Sequence, residues 1–213
     1  MNIAVLGGHG KIAMHLHPLL KEAGHAVQGL IRNPDHAGEL RAAGAEPVHC
    51  DVEQEEDISP VIARADAVVF AAGAGPGSGA ARKWTVDYEG AIKLIDAARK
   101  NNISRYIMIS AMKVEQPRGN EVFQEYQKAK AKADAALRDS GLAYTILRPG
   151  RLTDEEGSGK VALAPELPAG EIPRKDVARV IAALLNAEPD AGIGKQFDLT
   201  EGSDEISDVI SRI

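Results

Sequence analysis

Near the middle of the chain, three residues have side chains of the types that take part in proton transfer in enzymes. Tyr126 and Lys130 are four residues apart in a helical pattern, so we expect them on one helix face. A lysine ammonium beside a tyrosine favours the phenolate, and we expect it to lower the Tyr126 pKa. Such a tyrosine could exchange a proton with a substrate oxygen. Ser110 ends a predicted strand and could hydrogen-bond the same oxygen.

This spacing is weak evidence by itself, because the same helix also carries Lys128 and Lys132. The alternative is an exposed basic helix with one tyrosine packed on a sheet. The elements that would position these side chains therefore matter.

A glycine-rich turn follows the first apolar run, Ile3–Leu6, with the sequence Gly7-Gly8-His9-Gly10-Lys11-Ile12-Ala13. The order strand, turn, helix leaves backbone N–H groups free at a helix N-terminus, where they can bind phosphate. Gly7 would permit the tight turn, and Gly10 would let a pyrophosphate approach. His9 could add a donor, and Lys11 and Ile12 begin the helix. The turn predicts a dinucleotide-binding site.

The second predicted strand, Ala26–Ile31, is followed by Arg32-Asn33 rather than by an acidic residue. A carboxylate here would accept a hydrogen bond from the ribose 2′-OH of NAD, whereas a guanidinium suits the 2′-phosphate of NADP. We therefore expect NADP to be preferred, with NAD possible; a solvent-facing arginine is the alternative. After the third strand, Asp51 could accept from an adenine amino group and Val52 could pack on the ring. Alternatively, Asp51 is a helix cap or a solvated acid.

The composition limits the class of protein. The 213 residues are 44% hydrophobic and 26% charged, and the formal net charge is −6. That charge argues against nucleic-acid binding. Cys50 is the single cysteine and the six histidines lack ligand spacing, so we expect neither disulfide nor metal. No apolar run approaches membrane-spanning length, and the N-terminus lacks a secretion-signal pattern. We expect a cytoplasmic protein, monomeric or homodimeric, with a small-molecule substrate.

Apolar strand-like runs alternate with helical patterns, which indicates an α/β fold with a doubly wound, mostly parallel sheet in a single domain, 1–213. The predicted strands are Ile3–Leu6, Ala26–Ile31, Glu46–Cys50, Ala67–Ala72, Arg105–Ser110, Ala143–Arg148 and Gln196–Leu199. The predicted helices are Lys11–Ala23, Ala37–Ala43, Ser59–Ala63, Trp84–Asn101, Glu121–Ser140 and Pro173–Asn186. Gly73–Ala81 and Thr153–Gly159 are expected to be loops beside the ligand crevice. The tail from Ser203 to Ile213 could hold a short helix.

The motifs together resemble those of short-chain dehydrogenases/reductases. They are the glycine turn, Arg32-Asn33-Pro34, Ala71-Ala72-Gly73, Ser110, Tyr126 with Lys130, and Leu147-Arg148-Pro149-Gly150. Their order is most similar to that of the atypical, compact NAD(P)H-binding branch, near the NmrA-like and biliverdin-reductase-B-like proteins. The resemblance spans nearly the whole chain and implies a Rossmann fold.

The resemblance also implies roles for individual residues. Tyr126 would be the acid/base, Lys130 would bind the nicotinamide ribose, and Ser110 would orient the substrate carbonyl. Ala71-Ala72-Gly73 would lie beside the central ribose of the cofactor, and Pro149 and Gly150 would border the nicotinamide. Asp87 lies where relatives often have an asparagine, which puts a proton relay in doubt.

These features predict an NADPH-dependent oxidoreductase that reduces a small carbonyl, quinone or flavin-like acceptor, with Tyr126 as the acid/base. The substrate-side region, about 149–175, is short, which argues against a nucleotide-sugar epimerase or dehydratase. A non-catalytic NAD(P)H-binding sensor is the other alternative. Residues 74–80 could form a lid over the nicotinamide or a simple connector.

Overall fold

The computed structural model of the protein describes residues 1–75, 77–188 and 190–213. Pro76, within the predicted loop Gly73–Ala81, lies outside the described residues. The strands are β1 (Asn2–Leu6), β2 (Ala26–Ile31), β3 (Glu46–His49), β4 (Ala67–Phe70), β5 (Arg105–Ile109), β6 (Ala143–Pro149), β7 (Arg151–Thr153), β8 (Lys160–Ala164), β9 (Glu171–Pro173), β10 (Lys195–Glu201) and β11 (Asp204–Glu205).

The main sheet has nine strands in the order β11-β8-β10-β6-β5-β4-β1-β2-β3. From β10 to β3, every neighbouring pair is parallel. Strand β8 runs antiparallel to both β10 and β11. Strands β7 and β9 form a separate parallel pair. The strand order reverses between β1 and β4, which is where ligands bind in doubly wound sheets.

The helices cover both faces of this sheet. They are α1 (Lys11–Glu22), α2 (Ala37–Ala42), α3 (Ala80–Arg82), α4 (Gly90–Lys100), α5 (Glu121–Arg138), α6 (Arg174–Asn186) and α7 (Ile206–Ile210). A π-helical segment, Lys83–Glu89, joins α3 to α4, and short 3₁₀ helices span Pro34–His36 and Ser59–Ile62. In the described residues, no helix has both the length and the apolar character to cross a bilayer.

Strand β1 shows why both faces are covered. Ile3 and Val5 belong to a core that includes buried residues of α1 and α6, whereas Ala4 and Leu6 belong to a second core with residues of α4 and α5. All four side chains are at most 3% exposed. Because side chains alternate across a strand, a strand that is apolar at every position needs packing on both faces. The predicted fold class is therefore confirmed.

The differences from the predicted elements lie at the periphery. The predicted helix Trp84–Asn101 is a π-helical segment followed by α4, and Ser59–Ala63 is a 3₁₀ helix. Strands β7, β8, β9 and β11 were not predicted. For β7, β9 and β11 the reason is their length, because two or three residues are too few to show an alternating pattern. The predicted loop Thr153–Gly159 begins with the last residue of β7, and a short helix, α7, is present in the tail.

Candidate functional site

The turn between β1 and α1 leaves an uncapped helix N-terminus. Gly10 is the N-cap residue and makes no side-chain capping bond, and the first turn of α1 holds no acidic residue. Gly7 has a φ of +83°, and a Cβ there would lie 2.6 Å from Ala72 Cα. A side chain at Gly7 is therefore excluded twice, by backbone conformation and by contact. The free amides of α1 can bind an anion at this point.

The first cleft, about 300 Å³, lies beside this turn at the carboxyl ends of β2 and β3. Several predicted cofactor-binding residues line it: Gly7, His9, Gly10, Arg32, Asn33, Asp51 and Val52. The His9 ring stacks on His36 with centroids 3.6 Å apart, and its Nε2 lies 3.1 Å from Glu39 Oε2. The local turn and the distant strand ends thus meet in one cleft.

A carboxylate lies beside Arg32, contrary to the expectation that this corner holds none. Arg32 Nη1 donates to Glu53 Oε2 over 3.2 Å, and the Arg82 guanidinium donates to the same oxygen over 2.5 Å. The Arg82 hydrogen bond, helped by one from Thr85, lowers the Glu53 pKa. Sequence analysis missed Glu53 because it follows β3, 21 residues after Arg32. The corner therefore contains two guanidinium groups and one carboxylate.

Asp51 and Val52 take part in local structure as well as in the first cleft. Asp51 Oδ1 accepts a hydrogen bond from the Glu53 backbone N–H over 3.0 Å, which is the contact of an Asx turn. Val52 is 8% exposed, and its side chain would contact a Cβ placed at Gly90. The helix-cap alternative is therefore wrong, because the next helical segment begins only at Ser59, and both Asp51 and Val52 line the cleft.

A second cleft, about 530 Å³, continues from the first along the edge of the sheet. Ala71, Ala72 and Gly73 line both clefts and so lie between them. The second cleft brings together the three predicted catalytic residues, Ser110, Tyr126 and Lys130. Ile12 from α1 also lines it. The Lys11 ammonium instead forms an ion pair with Asp154, 2.5 Å away.

A third cleft, about 500 Å³, opens on the other side of Tyr126. Ser110 and Tyr126 line the second and third clefts alike. Pro149 and Gly150, expected to border the nicotinamide, line the third cleft, and a Cβ on Gly150 would lie 2.3 Å from the Gly170 carbonyl oxygen. The three clefts are therefore adjacent, each sharing lining residues with the next.

The Lys130 ammonium is buried and already has partners. It donates to the carbonyls of Ile109, over 3.1 Å, and Ala72, over 3.5 Å, and lies 5.0 Å from the Phe70 ring centroid. It forms an ion pair with Asp87 Oδ1 at 3.4 Å, although that oxygen has no aligned hydrogen bond among the described residues. Asp87 is 1% exposed, so the ammonium charge is largely balanced by a buried carboxylate.

The expected lowering of the Tyr126 pKa is wrong. The Tyr126 pKa is raised instead, mainly because the side chain is buried, and the negative charges of Asp87 and Asp134 raise it further. The Lys83 Nζ lies 5.7 Å from the Tyr126 ring centroid. Sequence spacing placed Lys130 on the correct helix, but the tertiary structure pairs its charge with Asp87. The Tyr126 hydroxyl is therefore a group that retains its proton at neutral pH.

Ser110 belongs to a buried polar network. Its Oγ donates to Asp134 Oδ2 over 2.9 Å, and Arg148 donates to that same oxygen from Nε, 2.9 Å away, and Nη2, 2.7 Å away. Arg148 also forms an ion pair with Glu115. Since the Ser110 proton is directed at Asp134, its oxygen can present only lone pairs to the cleft in this arrangement.

Comparison with known proteins identifies the family. The profile of a family described as NAD(P)H-binding matches residues 7–188. The chain belongs to this NAD(P)H-binding family. The match includes the glycine turn, the residues between the first two clefts and the whole Ser110–Tyr126–Lys130 group. It confirms the predicted resemblance to compact NAD(P)H-binding short-chain dehydrogenases/reductases.

Similar proteins carry different functional names. An uncharacterised sugar epimerase of Bacillus subtilis, YhfK, is 36% identical over 100% of both chains. A Bacillus halodurans structure, described provisionally as an NAD-dependent epimerase/dehydratase, is 40% identical over 100% of both chains, with a TM-score of 0.94. The oxidoreductase ylbE of Lactococcus lactis is 28% identical over 100% of this chain and 96% of its own, with a TM-score of 0.87.

Two residues of this NAD(P)H-binding protein that sequence analysis did not assign are Asp134 and Arg148. Asp134 lies one helical turn after Lys130 on the buried face of α5, and burial raises its pKa. The sequence does contain a signal for this site, because Asp134 lies within the apolar stripe of Ala129, Ala133 and Leu137. A carboxylate on the buried face of a helix requires a partner. That the partner is Arg148 follows only from the packing of α5 against β6.

Proposed function

We propose that the protein is an NADPH-dependent reductase of a small carbonyl compound, with Tyr126 as the proton donor. The observation that carries this proposal is the adjacency of the three clefts, which share lining residues. A dinucleotide bound at the α1 turn would extend through the second cleft to the one place where Ser110 and Tyr126 face both that cleft and the third. Quinone and flavin-like acceptors remain members of the same proposed substrate group.

The dinucleotide site is supported by its fit to the chain. The uncapped amides of α1 would hold the pyrophosphate, and the absence of a side chain at Gly7 lets the turn lie against Ala72. Arg32 and Arg82 would bind a 2′-phosphate, and this pair is the basis for proposing NADPH over NADH. Glu53 opposes that preference, because its carboxylate competes for both guanidinium groups.

The roles of the chain's own residues follow from their contacts. When bound, a reduced nicotinamide supplies a hydride. Tyr126 holds a proton on its hydroxyl, because its pKa is raised, and would transfer that proton to the substrate oxygen. Lys130 holds the ends of β4 and β5 together through the carbonyls of Ala72 and Ile109. Because its proton is directed at Asp134, Ser110 would accept a hydrogen bond from a hydroxyl group of the ligand and would not donate one to the substrate carbonyl.

Steady-state NADPH oxidation with a panel of aldehydes, ketones, quinones and flavins tests this proposal. We expect turnover with at least one acceptor and a loss of about 100-fold or more in kcat for Tyr126→Phe. Tyr144→Phe is the matched control, because the Tyr144 hydroxyl donates to the Gly194 carbonyl outside the clefts. Equal activity of the Tyr126 and control variants would contradict the proposed role of Tyr126.

Epimerisation or dehydration of a sugar is the second candidate, favoured by the names of the YhfK relative and the B. halodurans structure. Such an enzyme uses its nicotinamide transiently, so it would convert a nucleotide sugar without net NADPH oxidation. Product analysis with nucleotide sugars and catalytic NAD distinguishes this outcome. Tight NADPH binding without turnover of any compound would instead support the sensor alternative.

A further inference from the structure

The third cleft is lined by four cationic side chains, from Lys113, Arg118, Arg151 and Arg174. Among the described residues that line it, none is Asp or Glu. This composition is opposite to that of the whole chain, which has 25 Lys and Arg against 31 Asp and Glu. A cleft with one sign of charge concentrates ligands of the other sign.

Two of the four cations are balanced by carboxylates outside the lining. Arg151 forms an ion pair with Glu171, and Arg174 lies 2.6 Å from Asp154. Lys113 and Arg118 differ, because across 1–75, 77–188 and 190–213 neither forms an ion pair with a carboxylate. These two side chains are the cations available to a ligand.

A buried side chain holds the segment that carries these two cations. Gln127 is 2% exposed, and its Oε1 accepts a hydrogen bond from the Arg118 backbone N–H over 2.8 Å. Its Nε2 donates to the Lys113 carbonyl over 3.4 Å. Lys113 also has a φ of +57°, a conformation that is unfavourable for a residue with a side chain. Because Gln127 follows Tyr126 in α5, the same helix positions both Tyr126 and the segment from Lys113 to Arg118.

The rest of the lining suits a short carbon skeleton. Phe123 and Leu152 line the second and third clefts, and Met112 lines the third. Apolar walls between Tyr126 and the cations would contact a substrate's carbon atoms, and they would strengthen an ionic contact by excluding water.

We propose that the third cleft binds the anionic group of the substrate, a carboxylate or a phosphate, through Lys113 and Arg118. The proposal rests on the proposed function for the other end of the substrate, whose carbonyl would lie at the Tyr126 hydroxyl. The preferred acceptors are therefore small anionic carbonyl compounds such as oxo acids or phosphorylated ketones, and neutral quinones bind less well.

Anion binding is tested without turnover by calorimetric titration of the protein with succinate and with inorganic phosphate. We expect binding of at least one probe, weakened roughly tenfold in the double variant Lys113→Gln/Arg118→Gln. Arg212→Gln is the matched control, since Arg212 pairs with Asp204 at β11 and lines none of the three clefts. Arg32→Gln reports on the first cleft, where a phosphate could also bind.

The outcomes of this titration separate the two sites. Loss of binding in Lys113→Gln/Arg118→Gln but not in Arg32→Gln supports the proposal, and binding of phosphate alone or of succinate alone identifies the preferred group. Loss only in Arg32→Gln, or no binding of either probe to the wild-type protein, overturns it. Thermal unfolding of each variant checks that the fold is retained, and Arg118→Glu provides a second variant at an exposed side chain.

Kinetics then compare each oxo acid with its neutral methyl ester. We expect a KM roughly tenfold lower for the acid, and a KM for the acid that rises in Arg118→Gln with little change in kcat. Esters reduced as well as acids, with NADPH turnover intact, would reject the anion site and retain the reductase. Anion binding lost in the double variant, with no NADPH turnover of any acceptor, would retain the site and reject the reductase.

Discussion

The first and third clefts lie at opposite ends of one path but are built in different ways. The first cleft depends on a contiguous turn, in which backbone amides would bind the cofactor and Gly7 has no room for a side chain. The third depends on side chains from separate elements, held by Gln127 and by the Arg148 network. A ligand shared by a whole family can be bound by backbone geometry, whereas a particular substrate requires particular side chains. Single substitutions in the first cleft and in the third cleft should therefore have different effects on stability and on ligand binding.

The largest effect is expected on the substrate side. Arg148→Met leaves Asp134, which is fully buried, without its cation, and should lower the free energy of unfolding by about 3–5 kcal/mol. Urea-induced unfolding measures this change.

The double variant Asp134→Leu/Arg148→Met is its control. It removes both charges and should recover most of the lost stability, because a buried pair can be replaced by apolar residues at little cost. A double variant as unstable as Arg148→Met would show that packing, rather than charge, dominates this network.

On the cofactor side, Gly7→Ala should lower the free energy of unfolding by about 3 kcal/mol, from left-handed strain together with contact against Ala72. It should also abolish NADPH binding in a calorimetric titration. Gly24→Ala is the matched control, since Gly24 has a φ of +84° but no atom within 4 Å of the added Cβ.

The control should therefore cost only about 1–2 kcal/mol and leave NADPH binding intact. If Gly7→Ala and Gly24→Ala lower the free energy of unfolding equally and both retain NADPH binding, the close approach of the turn to Ala72 has no role in forming the first cleft.

Where the two regions meet, Asp87 should set the pH range of activity. The raised Tyr126 pKa means that this proton donor stays protonated well above neutrality, so reduction should persist to at least about pH 10, the ordinary tyrosine value. Asp87→Asn removes a negative charge and releases Lys130, and both changes favour the phenolate.

The alkaline limit of the kcat profile should thus move to lower pH in Asp87→Asn, by about one unit. The control Asp96→Asn, on the exposed side of α4, should leave the profile unchanged. A shift to higher pH in Asp87→Asn would contradict the assignment of Tyr126 as the titrating donor.

The smallest effect concerns the choice of cofactor in the first cleft. Glu53→Gln should free Arg32 and Arg82 and tighten NADPH binding a few-fold, because ion pairs at exposed side chains are weak. Arg32→Gln should weaken NADPH binding and leave NADH binding unchanged. The dissociation constants for NADPH and NADH in each variant measure the cofactor preference. Tighter NADH binding in Glu53→Gln would mean that Glu53 does not oppose the 2′-phosphate.

Much of the fold could be predicted because its information is local. The strands of the parallel sheet are apolar at successive positions, and Gly24, Gly44 and Gly141 follow helices with positive φ. The site was predicted in part. Ser110, Tyr126 and Lys130 do line one cleft, but the direction of the Tyr126 pKa shift was predicted incorrectly. The reason is that Asp87 comes from a distant segment and pairs with Lys130, and the buried Asp134 lies on α5 itself.

By itself, the sequence determined the alternation of strands and helices, the glycine turn at the start of α1, and the spacing that places Tyr126 beside Lys130 on α5. These features depend on the conformational preferences of neighbouring residues. Only the tertiary structure decided that Asp87 balances Lys130 and that Asp134 accepts the hydrogen bond of Ser110. It also decided that Lys113 and Arg118 line a cleft to which no described Asp or Glu contributes. Electrostatic interactions act through space, so the charge around a site depends on which distant segments the fold brings together.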